Sequence, residues 1–176
     1  MGHIFSFISA GDRRVFLILN RRLQCLLLDI VMQIFTQMGS LMFVAILAMF
    51  FYFSGCRNLV ELSGQLIAVL LISQVFVQVI KRMVNRPRPF RVLENAIAKR
   101  PPTCKYSFPS GHTSAAFCIA FALSSGIPGL SFVFFSLASM VGVSRIYLGA
   151  HYPTDVLVGY FTAYASFLLN ARFFLG

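Results

Sequence analysis

The run YSFPSGHTSAAFCIAFALSSGIPGLSFVFFSLASMVGVS, Tyr106–Ser144, contains no Asp, Glu, Lys or Arg. A bilayer-crossing helix needs about 20 apolar residues, so the run is too long for one crossing. Gly126-Ile127-Pro128-Gly129 divides it, because Pro and Gly interrupt helices. Two spans result, about Ser110–Ser125 and about Gly129–Ser144. Upstream, Leu62–Ile80 is uncharged between Glu61 and Lys81. Further upstream, Ile30–Cys56 is also free of charge, with Gly39-Ser40 placed to break or bend it. Downstream, Val156–Ala171 is a fifth apolar stretch. It is entered through Pro153, a favourable first-turn residue. Helices apolar all round belong in a bilayer. The alternation of a membrane barrel is absent. The expected fold is therefore all-α, a polytopic transmembrane helical bundle. Asp12–Leu28 is basic with apolar stretches and is expected as a short helix in the membrane interface. Residues 1–176 read as one membrane-embedded domain, whose longest polar stretch is Lys81–Lys105.

Composition agrees. Of 176 residues 58% are hydrophobic and 11% charged, against roughly 25% charged in soluble domains. This excludes a disordered chain, a collagen and a secreted disulfide scaffold, and argues against a soluble enzyme. The 15 Lys and Arg against 5 Asp and Glu give a net charge of +10. In a membrane protein such an excess orients the chain, holds anionic headgroups or binds an anionic substrate. Nucleic acid is a poor partner, because the basic residues lie among spans. Cys25, Cys56, Cys104 and Cys118 form no C-x-x-C pair and no C-x5-R loop, and read as small apolar residues. Val15–Leu19 is too short for the core of a signal peptide. Met1-Gly2-His3-Ile4-Phe5-Ser6 matches the loose myristoylation pattern, which needs a eukaryotic transferase.

Counting crossings places distant residues together. If the four stretches from Leu62 onward cross in succession, Lys81, Ser110-Gly111-His112, Arg145 and His151 share one membrane face. Lys81, Arg82, Arg86, Arg88, Arg91 and Arg145 supply cations there, His112 and His151 titratable bases, and Asp155 a carboxylate. Ionisable residues at membrane depth are functional candidates by default. Cations and histidines with few carboxylates suit phosphate. They do not suit Mg²⁺ or Ca²⁺, which need several oxygen ligands. The same cations repel a transition metal. No metal and no cofactor is expected.

Three motifs carry the chemistry. In Lys81-x6-Arg88-Pro89, Lys81 sits at a helix C-terminus, where a cation is favoured; alone it also reads as an interfacial anchor. Arg82, Arg86 and Arg91 keep that plainer reading. In Pro109-Ser110-Gly111-His112, Ser110 can cap a helix whose N-terminus seats an anion, with Gly111 allowing close approach and His112 facing it. Close helix packing is the alternative. In Ser144-Arg145-x5-His151-x3-Asp155, the carboxylate can accept from imidazole Nδ1–H and leave Nε2 free, while Arg145 clamps phosphate oxygens. A structural Arg–Asp pair is the alternative.

In order, spacing and membrane side, the three motifs resemble the signature of the type 2 phosphatidic acid phosphatase (PAP2) superfamily, K-x6-R-P, P-S-G-H and S-R-x5-H-x3-D. That superfamily also includes the soluble vanadium haloperoxidases. Lys81, Arg88, Pro89, Pro109, Ser110, Gly111, His112, Ser144, Arg145, His151 and Asp155 fill every fixed position. The resemblance covers residues 81–155. It implies that His151 is the nucleophile and forms a phospho-histidine. Asp155 orients it. His112 protonates the leaving oxygen and then activates water. Lys81, Arg88, Arg145, Ser110 and the Gly111 N–H hold the phosphoryl oxygens. Relatives often have six crossings; five are read here and a sixth is left open.

The implied activity is metal-independent hydrolysis of a membrane lipid phosphate or diphosphate, best matched by undecaprenyl diphosphate. Phosphatidylglycerophosphate, phosphatidic acid and lipid A are alternatives, as is transfer of the phosphoryl group to another acceptor. A non-catalytic lipid-binding protein is the rival without chemistry, and filled catalytic positions argue against it. The expected partners are the lipid substrate and the bilayer, with no obligate protein partner. The expected location is the cell membrane. The resemblance puts the site outward. The positive-inside rule argues the reverse, because only Arg57 and Arg172 fall opposite the site.

Overall fold

The structure, a computed structural model, describes residues 2–99, 101 and 104–174, with side chains described within residues 10–172. Met1 of the myristoylation pattern and Arg100 lie outside them. The described residues are helical and contain no strand. The helices are α1 (Gly2–Leu17), α2 (Leu26–Met38), α3 (Leu41–Tyr52), α4 (Arg57–Val84), α5 (Pro89–Val92), α6 (Gly111–Gly126), α7 (Ser131–Tyr147) and α8 (Pro153–Phe174). A π-helical turn, Ile18–Arg22, extends α1, and a 3₁₀ turn, Pro128–Leu130, leads into α7.

Each stretch expected as a span is helical. Gly39-Ser40 does break the first: α2 and α3 meet at 57°. Ser40 caps α3 by accepting from the Phe43 N–H at 3.1 Å. By length and composition alone, α4 and Pro128–Tyr147 are long and apolar enough to cross a membrane, and the bent α2–α3 pair qualifies as a third. α6 and α8 do not qualify, for a physical reason. α6 is 16 residues, about 24 Å long. Thr113–Leu123 is buried there apart from Ile119. α6 packs against α4, α7 and α8 rather than against lipid. It can therefore be short and built from Ser, Thr, Ala and Gly. α8 likewise mixes Thr162, Ser166 and Asn170, all buried, into its inner face.

The centre is an aromatic layer around α6. Phe121 meets Phe135 of α7 and Tyr160, Tyr164 and Phe167 of α8 at centroid distances of 5.0–5.9 Å. Glycines bring the backbones together near one end. A Cβ on Gly159 would lie 2.8 Å from the Ser110 carbonyl oxygen, and one on Gly39 would lie 2.5 Å from that of His112. Large apolar side chains such as Leu26, Phe50, Leu71, Phe132 and Leu157 are exposed instead. This outside-apolar arrangement fits a lipid surround.

The N-terminal segment departs from expectation. Asp12–Leu28 is not one helix. It comprises the end of α1, the π-turn and the start of α2, and it is docked on the bundle. Phe16 is fully buried with Ile146 and Tyr152. Asn20, also fully buried, donates to the carbonyls of Ile97 (2.9 Å) and Tyr147 (2.8 Å) and accepts from the Ile97 N–H (2.8 Å).

Candidate active site

The end of the bundle where α4 and α7 finish and α6 and α8 begin gathers the motif residues. α4 runs to Asn85, whose left-handed conformation (φ 50°) ends the helix. The chain then carries Arg86, Pro87 and Arg88 across the bundle. A backbone bond from Ser107 N–H to the Arg86 carbonyl (2.8 Å) pins it to the segment preceding α6. The Arg145 carbonyl accepts from the N–H groups of Ala150 (3.0 Å) and His151 (3.2 Å), folding the α7–α8 loop back over the helix end. The Ser110 N–H donates to the Asp155 carbonyl at 2.9 Å, so the second and third motifs are joined through backbone.

Lys81, Arg88, Ser110, Arg145, His151 and Asp155 are all buried. Arg88 Nη1 donates to the Ala150 carbonyl (3.0 Å) and lies 3.2 Å from His151 Nε2. A guanidinium has no acceptor, so Nε2 is the unprotonated nitrogen and carries a lone pair. His151 Nδ1 then bears the hydrogen, 3.5 Å from Asp155 Oδ2. That is too long for a good hydrogen bond. The expected Nδ1–Asp155 bond is therefore present only as a loose approach. Oδ2 is taken by the Tyr152 N–H at 2.8 Å.

Arg145 Nη1 donates to Thr36 of α2 at 2.6 Å, while its Nε has no protein partner. Ser110 caps α6: its hydroxyl oxygen accepts from the Thr113 N–H at 3.4 Å and from Thr113 Oγ1 at 2.8 Å. The Gly111 and His112 N–H groups lead the helix and have no carbonyl within it to bond. A Cβ on Gly111 would meet only ordinary contacts, 3.6 Å from Val77. Its value is thus not forced by packing. His112 is partly buried and shares the electrostatic neighbourhood of Arg145, His151, Lys81 and Arg88. No three of His, Cys, Asp and Glu converge as a metal-binding group among the described residues.

Arg86, assigned above to the plain anchoring role, is instead at the heart of the site. It donates to Asp155 Oδ1 (2.8 Å), Thr154 Oγ1 (2.7 Å) and Asp12 Oδ2 (2.7 Å). Thr36, Ser107, Asn20 and Asp12 were also not singled out by the sequence. A buried carboxylate such as Asp12 in a chain so poor in acids was the one available signal.

Burial pushes the His151 imidazole well below its usual range, and Arg145, Arg88 and Lys81 push it further. The folded protein therefore keeps His151 neutral while the unfolded chain takes up a proton below about pH 6.5. Stability from this group is complete above that pH and falls on acidification. Thermal unfolding in detergent should shift down between about pH 7 and pH 5. The shift should shrink in His151→Gln, and an identical pH slope in that variant would refute the assignment.

Buried cations and an imidazole gathered at one end of a largely apolar helical bundle have the chemistry an anion would match. The PAP2 superfamily model matches residues 63–175, and the chain belongs to that superfamily. It resembles the lipid A 1-phosphatase of Rhizobium etli, at 33% identity over 56% of this chain and 44% of that protein. It resembles the phosphatidylglycerophosphatase B of Bacillus subtilis at 35% identity, over 54% and 50% respectively. The chain thus spans half or less of these curated relatives. Among solved structures, Aquifex aeolicus LpxE superposes with a TM-score of 0.80 and 30% identity, over 91% of this chain and 94% of that one. A transmembrane PAP2-type phosphatidylglycerolphosphate phosphatase of Bacillus subtilis gives 0.74 and 25%, over 94% and 85%.

Proposed function

We propose that this protein hydrolyses a lipid phosphate or diphosphate at the membrane surface without a metal ion, through a phospho-histidine. The observation that carries the reading is the Arg88–His151 contact, which leaves a neutral imidazole with its Nε2 lone pair among buried cations. Nε2 attacks phosphorus, and the bond from phosphorus to the leaving oxygen breaks. His112 delivers a proton to that oxygen. Water then attacks the phospho-histidine, giving its proton to His112, and phosphate leaves with Nε2 restored. Lys81, Arg88, Arg145, Ser110 and the Gly111 N–H hold the equatorial oxygens, where positioning and charge dominate phosphoryl transfer. The bound anion also supplies counter-charge for a protonated His112.

The proposed substrate is undecaprenyl diphosphate, yielding undecaprenyl phosphate and phosphate. The similarity to an undecaprenyl-diphosphatase of Bacillus subtilis (41% identity over 40% of this chain) supports it. Lipid A and phosphatidylglycerophosphate are supported by the relatives above over more of the chain, 56% and 54% against 40%. The test is phosphate release by purified protein in detergent, with EDTA present, from these three lipids and phosphatidic acid. Release that survives EDTA is expected. Its absence from a folded sample, or its loss with EDTA, would overturn the reading.

We further propose five crossings, with α2–α3 as one bent span, in the cell membrane with the site outward. The family resemblance supports that side, against the Lys/Arg bias. Cys104, exposed and beside the site, reports it directly. In a Cys25→Ser/Cys56→Ser background, an impermeant maleimide should label Cys104 in intact cells. Labelling only after lysis would place the site inside.

A further inference from the structure

Asp12 is a buried carboxylate, 4% exposed, on a helix that contributes nothing to the three motifs. A buried charge needs partners, and all of Asp12's lie at the site. Oδ2 accepts from Arg86 Nη2 (2.7 Å) and from Thr154 Oγ1 (2.5 Å), and Oδ1 accepts from the Thr154 N–H (3.0 Å). The other Arg86 nitrogen, Nη1, donates to Asp155 Oδ1 at 2.8 Å. The guanidinium therefore bridges two carboxylates from α1 and α8. Its plane is fixed against the Tyr152 ring, 4.0 Å from the centroid. A planar fork can make this bridge, and an ammonium cannot span it in the same way.

The bridge decides where Asp155 stands. Its two oxygens are held by Arg86 and by the Tyr152 N–H. The resulting position leaves Oδ2 3.5 Å from His151 Nδ1. Arg86 differs from Lys81, Arg88 and Arg145, because both its terminal nitrogens are committed to protein oxygens. It is thus poorly placed to hold phosphate. A second anchor seats the same N-terminal segment: Asn20, nothing of it exposed, grips Ile97 and Tyr147 on the neighbouring loop and helix end.

We propose that Arg86 is a positioning residue of this site and that Asp12 of α1 completes it: α1 holds Arg86, Arg86 holds Asp155, and Asp155 sets the His151 ring. The inference rests on the reading of His151 as nucleophile. Misplacing a reacting group by about 1 Å costs roughly 100-fold.

In full-length protein, Arg86→Gln should lower kcat about 100-fold with KM within about threefold of wild type. Arg86→Lys should recover only part of the loss. Asp12→Asn should lower kcat about tenfold, because the amide keeps the shape but not the charge that holds Arg86. The double variant should be no worse than Arg86→Gln alone, since both act through one linkage. A rise in KM with kcat unchanged would make Arg86 a phosphate ligand and overturn the proposal. So would kcat within twofold of wild type in folded Arg86→Gln, full recovery in Arg86→Lys, or losses that simply multiply. Should Arg86→Gln fail to fold, Asp12→Asn decides: unchanged kcat overturns the proposal. A wild type that releases phosphate from none of the lipids refutes the proposed function and not this linkage. Orthovanadate affinity then decides, because vanadate bonds to the imidazole. About tenfold weaker binding in Asp12→Asn is expected, and equal binding overturns it.

Discussion

Alanine at His151 should remove turnover altogether, whereas alanine at His112 should leave an enzyme that stalls after its first step on an activated substrate. His151 is 1% exposed, and its Nε2 faces the Arg88 guanidinium at 3.2 Å. Of the two imidazoles beside Lys81, Arg88 and Arg145, His151 is the one whose Nε2 lies against the Arg88 guanidinium. Loss of a nucleophile of this kind costs about 10⁴-fold or more in kcat. No ³²P should be retained on His151→Ala after an alkaline quench, the condition under which a phospho-histidine survives. The role proposed for His112 is different. The alkoxide of a lipid monoester such as phosphatidic acid leaves poorly without a proton, so His112→Ala should slow its hydrolysis by about 10²–10⁴-fold, and that of undecaprenyl diphosphate by less, because a phosphate leaves there. A p-nitrophenyl group leaves unaided. With p-nitrophenyl phosphate the variant should release one equivalent of nitrophenolate quickly and then slow, with label trapped on His151. Turnover by His151→Ala within tenfold of wild type would end the covalent mechanism. Equal slowing of both substrates without trapped label would remove the acid role from His112.

The legible parts of this protein were those whose physics is local. Apolar runs mark helices because a bilayer demands about 20 such residues, and Gly39-Ser40 and Gly126-Ile127-Pro128-Gly129 mark breaks because Gly loosens the backbone and Pro lacks the N–H a helix needs. Ser110 reads as a cap because capping needs a side-chain oxygen within the first turn. The gathering of Lys81, Arg88, Arg145, His151 and Asp155 at one end followed from counting helices. The bridge of Asp12 to Arg86 was not legible. Its partners lie 74 positions apart, and no spacing rule links them. Charge alone gave Arg86 the same reading as Arg82, which is exposed. The N-terminal segment misled for a related reason. Its arginines are exposed and suggest an interfacial helix, while Asp12, Phe16 and Asn20 turn inward. The inward positions 12, 16 and 20 keep a helical spacing of four, but two of the three are polar, so no apolar period marks the face.

The other large effect belongs to Gly149, which sits two residues before His151. Its φ is +83°, where an L-residue costs roughly 1–2 kcal/mol. Space forbids a side chain as well: a Cβ would lie 2.3 Å from the Ile97 carbonyl oxygen. That oxygen cannot simply withdraw. It accepts from Asn20 Nδ2 at 2.9 Å, and the Ile97 N–H donates back to Asn20 Oδ1 at 2.8 Å. Gly149→Ala must therefore shift the loop that carries His151 or break the Asn20 clamp. Either movement displaces the imidazole from Arg88 and Asp155, and kcat should fall about 100-fold with a lower melting temperature. Gly64→Ala is the matched control. Gly64 lies inside α4 with nothing within 4 Å of its Cβ position, so alanine there should stabilise the helix by about 0.5–1 kcal/mol and spare turnover. Adding Asn20→Ala to Gly149→Ala separates the two routes. If the Ile97 carbonyl is the obstacle, freeing it should return part of the lost kcat, although the second change by itself weakens the fold. Full activity and an unchanged melting temperature in Gly149→Ala would mean that the catalytic loop is not held by Ile97 at all.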